Sequence, residues 1–192
     1  MDDTLRATLD ELYADGVAHD AAEPDRLRRR RNLEPDSAEL LTVVLRIARA
    51  RNVVEIGTSN GYSTIWLADA ASDVDGRVVS VDVEEWPRVQ ENIDRAGLSS
   101  TVDLIIGDGG HYLAGLADGS VDLLFLDAER VEYPNWWPHP ARVLRPGGVL
   151  AVDNVLSHPD EVAPFLALVA ADERFTGTTV AIGKGLYLAW RS

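Results

Sequence analysis

The chain contains no cysteine. This absence excludes disulfide bonds and thiolate metal sites, and it fits a reducing compartment such as the cytoplasm. The sequence also has no apolar leader and no apolar run close to the roughly 20 residues that cross a bilayer. We therefore expect a cytoplasmic protein with no membrane partner.

Basic residues are scarce: 18 lysines and arginines stand against 32 acidic residues, and the net charge is -14. A field of this sign disfavours nucleic acids and anionic membranes as partners, whereas a small neutral or cationic substrate is compatible with it. The 192 residues suffice for one domain with a sizeable core but hardly for two. We expect a single domain over 1–192, in which residues 1–35 form a helical extension that covers the site.

Five of the arginines are concentrated between residues 26 and 31. A charge run of this kind is typical of a solvated surface, or of a local counter-charge to an acidic body. We interpret it in that way rather than as a ligand-binding patch.

From Val53 onward, short apolar segments alternate with helical patterns, which is typical of a mainly parallel sheet covered on both faces. The last two apolar segments are joined by Gly183-Lys184-Gly185, which predicts an antiparallel hairpin. The sequence predicts helices at about 2–18, 34–50, 62–71, 87–96, 111–117, 135–143 and 159–172. It predicts strands at 53–56, 77–81, 102–106, 121–126, 148–152, 175–182 and 185–190.

The segment 52–68, NVVEIGTSNGYSTIWLA, combines an apolar strand, a glycine-bracketed turn and the start of a helix. Gly57 and Gly61 let a ligand approach the backbone, and free N–H groups at the helix start favour a carboxylate or phosphate. The spacing E-x-G-x-x-x-G-x-S differs from the dinucleotide fingerprint G-x-G-x-x-G, which disfavours a nicotinamide oxidoreductase. Glu55 would repel a pyrophosphate and suits a ligand with a cationic amine.

Asp82 ends the next apolar segment, at about the distance past the turn where an acid binds ribose hydroxyls. Together with Glu55, Gly57 and Gly61, it makes the chain resemble the class I S-adenosylmethionine-dependent methyltransferases. That resemblance implies a Rossmann-like α/β fold. Its seven-stranded sheet is mainly parallel, has an antiparallel C-terminal hairpin, and follows the strand order 3-2-1-4-5-7-6.

Acidic or amide side chains also follow the fourth and fifth predicted strands. Asp127 and the pair Asp153-Asn154 leave neighbouring strands, about 4.8 Å apart, at the same edge of the sheet. Two carboxylates so close repel each other, and a bound cation would relieve the repulsion. With the amide oxygen they form an oxygen-only set that suits Mg²⁺, or Mn²⁺ or Ca²⁺. The alternative is that Asp153-Asn154 is only a strand-to-helix cap.

Four motifs narrow the resemblance: VVEIGTSNGYSTIWLA, FLDAERVEYPNWW, VLRPGGVLAVDNVL and IGKGLYLAWR. They are similar to those of the cation-dependent catechol and caffeoyl-CoA O-methyltransferases, over roughly Leu33 to Ser192. The resemblance implies an S-adenosylmethionine- and divalent-metal-dependent O-methyltransferase that acts on a small catechol-like aromatic substrate. It also implies a homodimer, for which the amphipathic helix at 2–18 is a candidate contact.

The same resemblance assigns site residues. Asp127, Asp153 and Asn154 match the metal ligands, and Asp127 and Arg130 match catalytic positions. The cofactor contacts implied are Leu33, Glu55, Gly57, Thr58, Gly61, Ser63, Asp82, Val83, Asp108, Gly109 and Asp127. Within this set, Ser63 would contact the cofactor carboxylate, Asp82 the ribose and Asp108 the adenine.

Arg130 departs from the family pattern, because the family usually carries a lysine there as its general base. A guanidinium stays protonated and cannot accept a phenolic proton. Either the metal alone ionises the phenol, or Arg130 binds a substrate carboxylate or phenolate, or the methyl acceptor is not a catechol. We favour the first two jointly, with His158 as a candidate substitute base. A non-catalytic S-adenosylmethionine-binding protein is the remaining alternative.

Overall fold

Seven strands form one sheet in the computed structural model, which describes all residues from 1 to 192. The strands are β1 (Asn52–Ile56), β2 (Arg77–Asp82), β3 (Val102–Ile106), β4 (Val121–Leu126), β5 (Leu144–Val152), β6 (Phe175–Val180) and β7 (Leu186–Arg191). Their order is β3-β2-β1-β4-β5-β7-β6, with β1 to β5 parallel and the last two strands antiparallel. The predicted strand order and hairpin are confirmed.

The centre of the sheet is apolar because helices cover both of its faces. Every residue of β4 is buried, and Val54 of β1 lies opposite both Val79 of β2 and Leu124 of β4. Two apolar clusters result, one on each side of the sheet. Leu41, Ile65 and Phe125 belong to the first, and Leu124, Tyr133 and Phe165 to the second.

The helices are α1 (Asp3–Ala22), α2 (Pro35–Ala48), α3 (Tyr62–Ser72), α4 (Val89–Arg95), α5 (Gly109–Gly115), α6 (His139–Val143) and α7 (Pro159–Ala171). Short 3₁₀ helices cover Arg26–Arg28 and Arg130–Trp136. The single helix predicted at 135–143 is wrong: Trp137, which precedes Pro138, has an extended backbone that separates the second 3₁₀ helix from α6. No helix combines the length and apolar character needed to cross a membrane.

Helix α1 packs its leucine face inside the chain. Leu5, Leu9 and Leu12 are buried, and the ring of Tyr13 lies 5.5 Å from that of Tyr62 at the start of α3. The Tyr13 hydroxyl also donates a hydrogen bond of 2.7 Å to Glu34. The predicted amphipathic helix is therefore present, and its apolar stripe contributes to the core of the same chain.

The turn between β6 and β7 contacts two other parts of the chain. Gly183 and Gly185 have φ angles of +52° and +93°, which explains why the turn uses glycine. The amides of Leu156 and Ser157 each donate to the Lys184 carbonyl at 3.0 Å. The Lys184 ammonium lies 2.8 Å from Glu34, just before α2. The hairpin thus connects the loop after β5 with the start of α2.

Candidate functional site

A cavity of about 740 Å³ lies at the carboxyl ends of the parallel strands. Its wall is formed by the segment from residue 26 to 33 and by the residues that follow β1, β2, β3, β4 and β5. Of the residues singled out from the sequence, the wall contains Leu33, Gly57, Thr58, Ser63, Asp82, Val83, Asp108, Gly109, Asp127, Arg130 and Asn154. Glu55, Gly61 and Asp153 lie behind the wall.

The turn after β1 is shaped by two close approaches. Gly57 has a φ of +110°, and a Cβ at this position would lie 2.2 Å from the carbonyl oxygen of Asp127. The backbone amides of Thr58 and Ser59 donate to one carboxylate oxygen of Asp82, at 2.9 and 3.0 Å. Asp82 therefore holds the glycine turn in place, and its second oxygen accepts only the amide of Glu84, at 3.2 Å.

Glu55 is fully buried beneath this turn. Its carboxylate accepts hydrogen bonds from Ser63 at 2.5 Å, from Ser80 at 2.6 Å and from Thr64. Burial raises the pKa of Glu55 to about 7, and the three hydroxyl donors oppose that shift. In this structure the carboxylate joins β1, β2 and α3 rather than facing the cavity, and the Ser63 hydroxyl is engaged with it.

Asp127, Asp153 and Asn154 converge at the ends of β4 and β5. The amide nitrogen of Asn154 lies 3.1 Å from Oδ1 of Asp127 and 2.8 Å from Oδ2 of Asp153. The other carboxylate oxygen of Asp153 is buried and has no hydrogen-bond partner. An unpartnered buried carboxylate oxygen is costly, so this arrangement is suited to a cation that would lie against it.

The electrostatics of this trio favour the same ligand. Burial raises the pKa of both aspartates, and the charge of Asp127 raises that of Asp153 further, while Lys184 acts in the opposite direction on both. No cluster of three or more His, Cys, Asp or Glu side chains suited to a metal occurs in the structure. A metal here would therefore be held by two carboxylates and one amide oxygen, which the Asn154 side chain would present after a half-turn of its amide. Such hard oxygen ligands fit Mg²⁺ or Ca²⁺.

Arg130 is almost fully enclosed and already paired. Its side chain is 3% exposed, and its Nε and Nη2 atoms each lie 2.8 Å from the Glu161 carboxylate of α7. Arg26 reaches the other oxygen of the same carboxylate at 3.9 Å. His158 also lies in the wall, with Nδ1 2.9 Å from the Ser157 hydroxyl, and burial next to Arg130 lowers its pKa.

Several wall residues were not singled out from the sequence. Asn60 and Ser59 belong to the glycine turn, and Asn60 has a buried amide nitrogen without a partner. Their position between Gly57 and Gly61 was the available signal. The surface interpretation of the arginine run was incomplete, because Arg26, Arg29, Arg30 and Arg31 all line the cavity, and only Arg28 does not.

Comparisons with known proteins agree with this architecture. The sequence model of the O-methyltransferase family matches residues 20–192. The catechol O-methyltransferase of Mycobacterium tuberculosis is 37% identical over 163 residues, covering 81% of this chain and 70% of the relative. The catechol O-methyltransferase of Niastella koreensis is 34% identical over 130 residues, and that match covers 65% of this chain and 58% of the relative, less than two thirds of its length.

A solved structure shows the same fold. The O-methyltransferase from Bacillus cereus, in complex with SAH, superposes with a TM-score of 0.79 at 28% identity, and the match covers 97% of this chain and 91% of that one. The family match extends over most of the sequence, and the sheet topology is shared. This chain therefore belongs to the O-methyltransferase family of enzymes.

Proposed function

We propose that the protein transfers the methyl group of S-adenosylmethionine to a hydroxyl oxygen of a small catechol-like substrate, with the help of a divalent cation. Two relatives that carry the name catechol O-methyltransferase and a structural neighbour in complex with SAH support the proposal. The observation that carries it is the convergence of Asp127, Asp153 and Asn154, in which the second carboxylate oxygen of Asp153 is buried and has no hydrogen-bond partner.

The methyl donor would occupy the part of the cavity beside the glycine turn. Gly57 forms part of the wall there, because without a side chain it can lie against the backbone of Asp127, and the first amides of α3 favour the donor's carboxylate. Leu33, Asp82, Val83, Asp108 and Gly109 form the rest of this wall. Thr58 and Ser63 also belong to this wall, whereas Glu55 and Gly61 would act on the donor through the turn that they shape. The role of Glu55 is then to hold Ser63 and the start of α3 in place.

The cation would be held by Asp127, Asp153 and Asn154. When bound, a divalent ion lowers the pKa of a hydroxyl that contacts it and fixes that oxygen in place. Vicinal hydroxyls on an aromatic ring are acidic enough to profit from this effect, whereas ordinary alcohols stay protonated. The aromatic wall residue Trp136, which is 7% exposed and packs against Gly109 and Gly110, suits a flat ring.

Arg130 does not serve as the base in this proposal. Its guanidinium is permanently protonated and is paired with Glu161. We propose that it contributes positive charge beside Asp127, where it stabilises a phenolate or a carboxylate of the substrate. In Arg130→Lys, a group that can lose its proton replaces one that cannot, so the pH profile of methyl transfer should change. An unchanged profile with every phenol tried would remove Arg130 from the chemistry.

Methyl transfer from S-adenosylmethionine to catechols, assayed with and without a chelator, tests the proposal directly. Transfer that is lost with chelator and restored by Mg²⁺ is the expected result. Chelator-resistant transfer to catechols would remove the cation from the proposal, and transfer only to compounds without vicinal hydroxyls would favour a non-catechol acceptor. Calorimetric binding of S-adenosylmethionine without transfer to any acceptor would favour a non-catalytic binding protein.

A further inference from the structure

Arginines are concentrated in the wall of the cavity in a protein that is otherwise strongly acidic. Arg26, Arg29, Arg30 and Arg31 line it, as does Arg130. Arg26 and Arg130 both contact the Glu161 carboxylate, which joins the two groups of arginines.

The basic residues of this wall differ in whether each has a carboxylate of its own. Arg30 pairs with Asp15, Arg31 lies 3.0 Å from Glu129, and Lys184 lies 2.8 Å from Glu34. These cations each have a carboxylate of their own.

Three other guanidinium groups have only one carboxylate among them. Arg26 and Arg130 share the Glu161 carboxylate, with separations of 3.9 and 2.8 Å. Arg29 forms no ion pair at all, and its Nε atom donates to the backbone carbonyl of Glu23 at 2.8 Å. Of the acids elsewhere on this side of the wall, Asp20 accepts the backbone amides of Arg30 and Arg31. Glu132 is exposed.

The location of these groups relative to the carboxylate trio indicates what they could bind. Arg130 follows Asp127 by three residues, both line the cavity, and Arg26 contacts the same Glu161 carboxylate as Arg130. Arg26, Arg29 and Arg130 therefore line the same cavity as Asp127, beside which a substrate ring would be held. A planar guanidinium binds a carboxylate through two parallel hydrogen bonds, which makes arginine a selective partner for that group.

We infer that Arg26, Arg29 and Arg130 form a subsite for a carboxylate on the methyl acceptor, so that the substrate is a catechol whose ring carries an acid group. The inference rests on the proposed function. It also modifies the expectation from net charge, because residues 26–31 place positive charge locally in the wall of the cavity. A neutral catechol would leave Arg29 without an anionic partner.

A matched pair of acceptors tests the subsite. The anionic 3,4-dihydroxybenzoate and the neutral 3,4-dihydroxybenzamide have nearly the same size and both present vicinal hydroxyls. We expect kcat/KM of the wild-type protein to favour the acid by about tenfold at low salt, and the preference to shrink as salt screens the charges. In Arg26→Gln/Arg29→Gln the ratio of acid to amide should fall to about one.

Arg28→Gln is the control, because Arg28 lies on the same 3₁₀ helix, is exposed, and does not line the cavity. It should keep the wild-type ratio. An equal ratio in the wild type and the double variant, or an equal fall in Arg28→Gln, would overturn the subsite even if both acceptors are methylated. If neither acceptor is methylated, the proposed function fails instead. Calorimetric binding of 3,4-dihydroxybenzoate to the wild type and the double variant then decides the subsite, since equal affinities would overturn it.

Discussion

Arg130 and Glu161 form an ion pair that joins the loop after β4 to α7. Both Nε and Nη2 of the arginine lie 2.8 Å from the same carboxylate oxygen, and the arginine side chain is 3% exposed. The carboxylate is the more exposed partner, at 31%. Because the arginine is enclosed, the pair fixes the 3₁₀ helix Arg130–Trp136 against α7 more firmly than a surface pair would.

Arg130→Met should therefore destabilise the protein. The substitution keeps the apolar part of the side chain but removes one charge-assisted hydrogen bond and a second ion-pair contact, and we expect a loss of about 1–3 kcal/mol in the free energy of unfolding. Urea denaturation measures the loss. Arg6→Met is the control, since Arg6 is 54% exposed and lies 3.5 Å from an equally exposed Glu39. Equal shifts in the two variants would show that the enclosed pair contributes no more than an exposed one.

Asp153→Asn should abolish cation binding while the protein still folds. The substitution removes a like charge next to Asp127 and should stabilise the metal-free protein by about 1–2 kcal/mol. Excess Mg²⁺ should raise the thermal unfolding temperature of the wild type, because it binds only the folded chain, and should leave that of the variant unchanged. Asp103→Asn, in an exposed pair with Arg77, should keep the wild-type response to Mg²⁺. A full response in Asp153→Asn would mean that Asp153 is not a ligand.

Gly57→Ala tests the close approach between β1 and β4. The new Cβ would lie 2.2 Å from the backbone oxygen of Asp127, and φ is +110°. Since backbone atoms cannot move aside easily, we expect a loss of about 3 kcal/mol or more, together with weaker binding of S-adenosylmethionine.

Gly97→Ala is the matched control for that substitution. It also has a positive φ, of +71°, but nothing lies within 4 Å of its added Cβ. Only the conformational cost of about 1–2 kcal/mol should appear, with cofactor binding unchanged. If the two glycine variants lose equal stability in urea, contact with Asp127 is not what requires glycine at position 57.

Glu55→Gln should change how stability depends on pH. Burial raises the pKa of Glu55 to about 7 from an ordinary value of 4.5. Between these values the folded protein keeps a proton that the unfolded chain has released. The contribution of Glu55 is therefore fully present below pH 4.5 and is lost as the pH rises through 7, by up to about 3 kcal/mol in total.

The measurement is urea denaturation across this pH range. The free energy of unfolding of Glu55→Gln should decrease less steeply with pH than that of the wild type. Glu39→Gln, an exposed substitution on α2, should follow the wild-type curve. Parallel curves for Glu55→Gln and the wild type would mean that Glu55 is ionised in the folded state throughout.

The parallel strands and the residues at their ends could be predicted from the sequence because both are local signals. Apolar runs such as Val121–Leu126 mark buried strands, and the acid that follows a run lies at the carboxyl edge of the sheet by geometry alone. That logic brings Asp127 and Asp153 together across 26 residues of chain. The interruption near Pro138 was not predicted, because the helical spacing of apolar residues continues past this proline although the backbone cannot stay helical there.

Contacts between side chains that are far apart in the sequence could not be predicted in this way. The partner of Arg130 lies on α7, and Arg26, Arg29, Arg30 and Arg31 line a cavity whose other walls come mostly from residues more than 20 positions away in the sequence. Glu55 shows a related limit. Its place at a strand end indicated a ligand contact, but whether its carboxylate faces the cavity or the hydroxyls of Ser63, Thr64 and Ser80 depends on side-chain packing.

The hairpin turn at Lys184 couples the N-terminal helices to the C-terminal strands. Lys184 contacts Glu34 through its ammonium group and Leu156 through its carbonyl, and Glu34 in turn accepts a hydrogen bond from Tyr13 of the first helix. An insertion or a protease cut at 183–185 would loosen both the leading helices and the segment next to Asn154. This turn is therefore a poor place to open the chain.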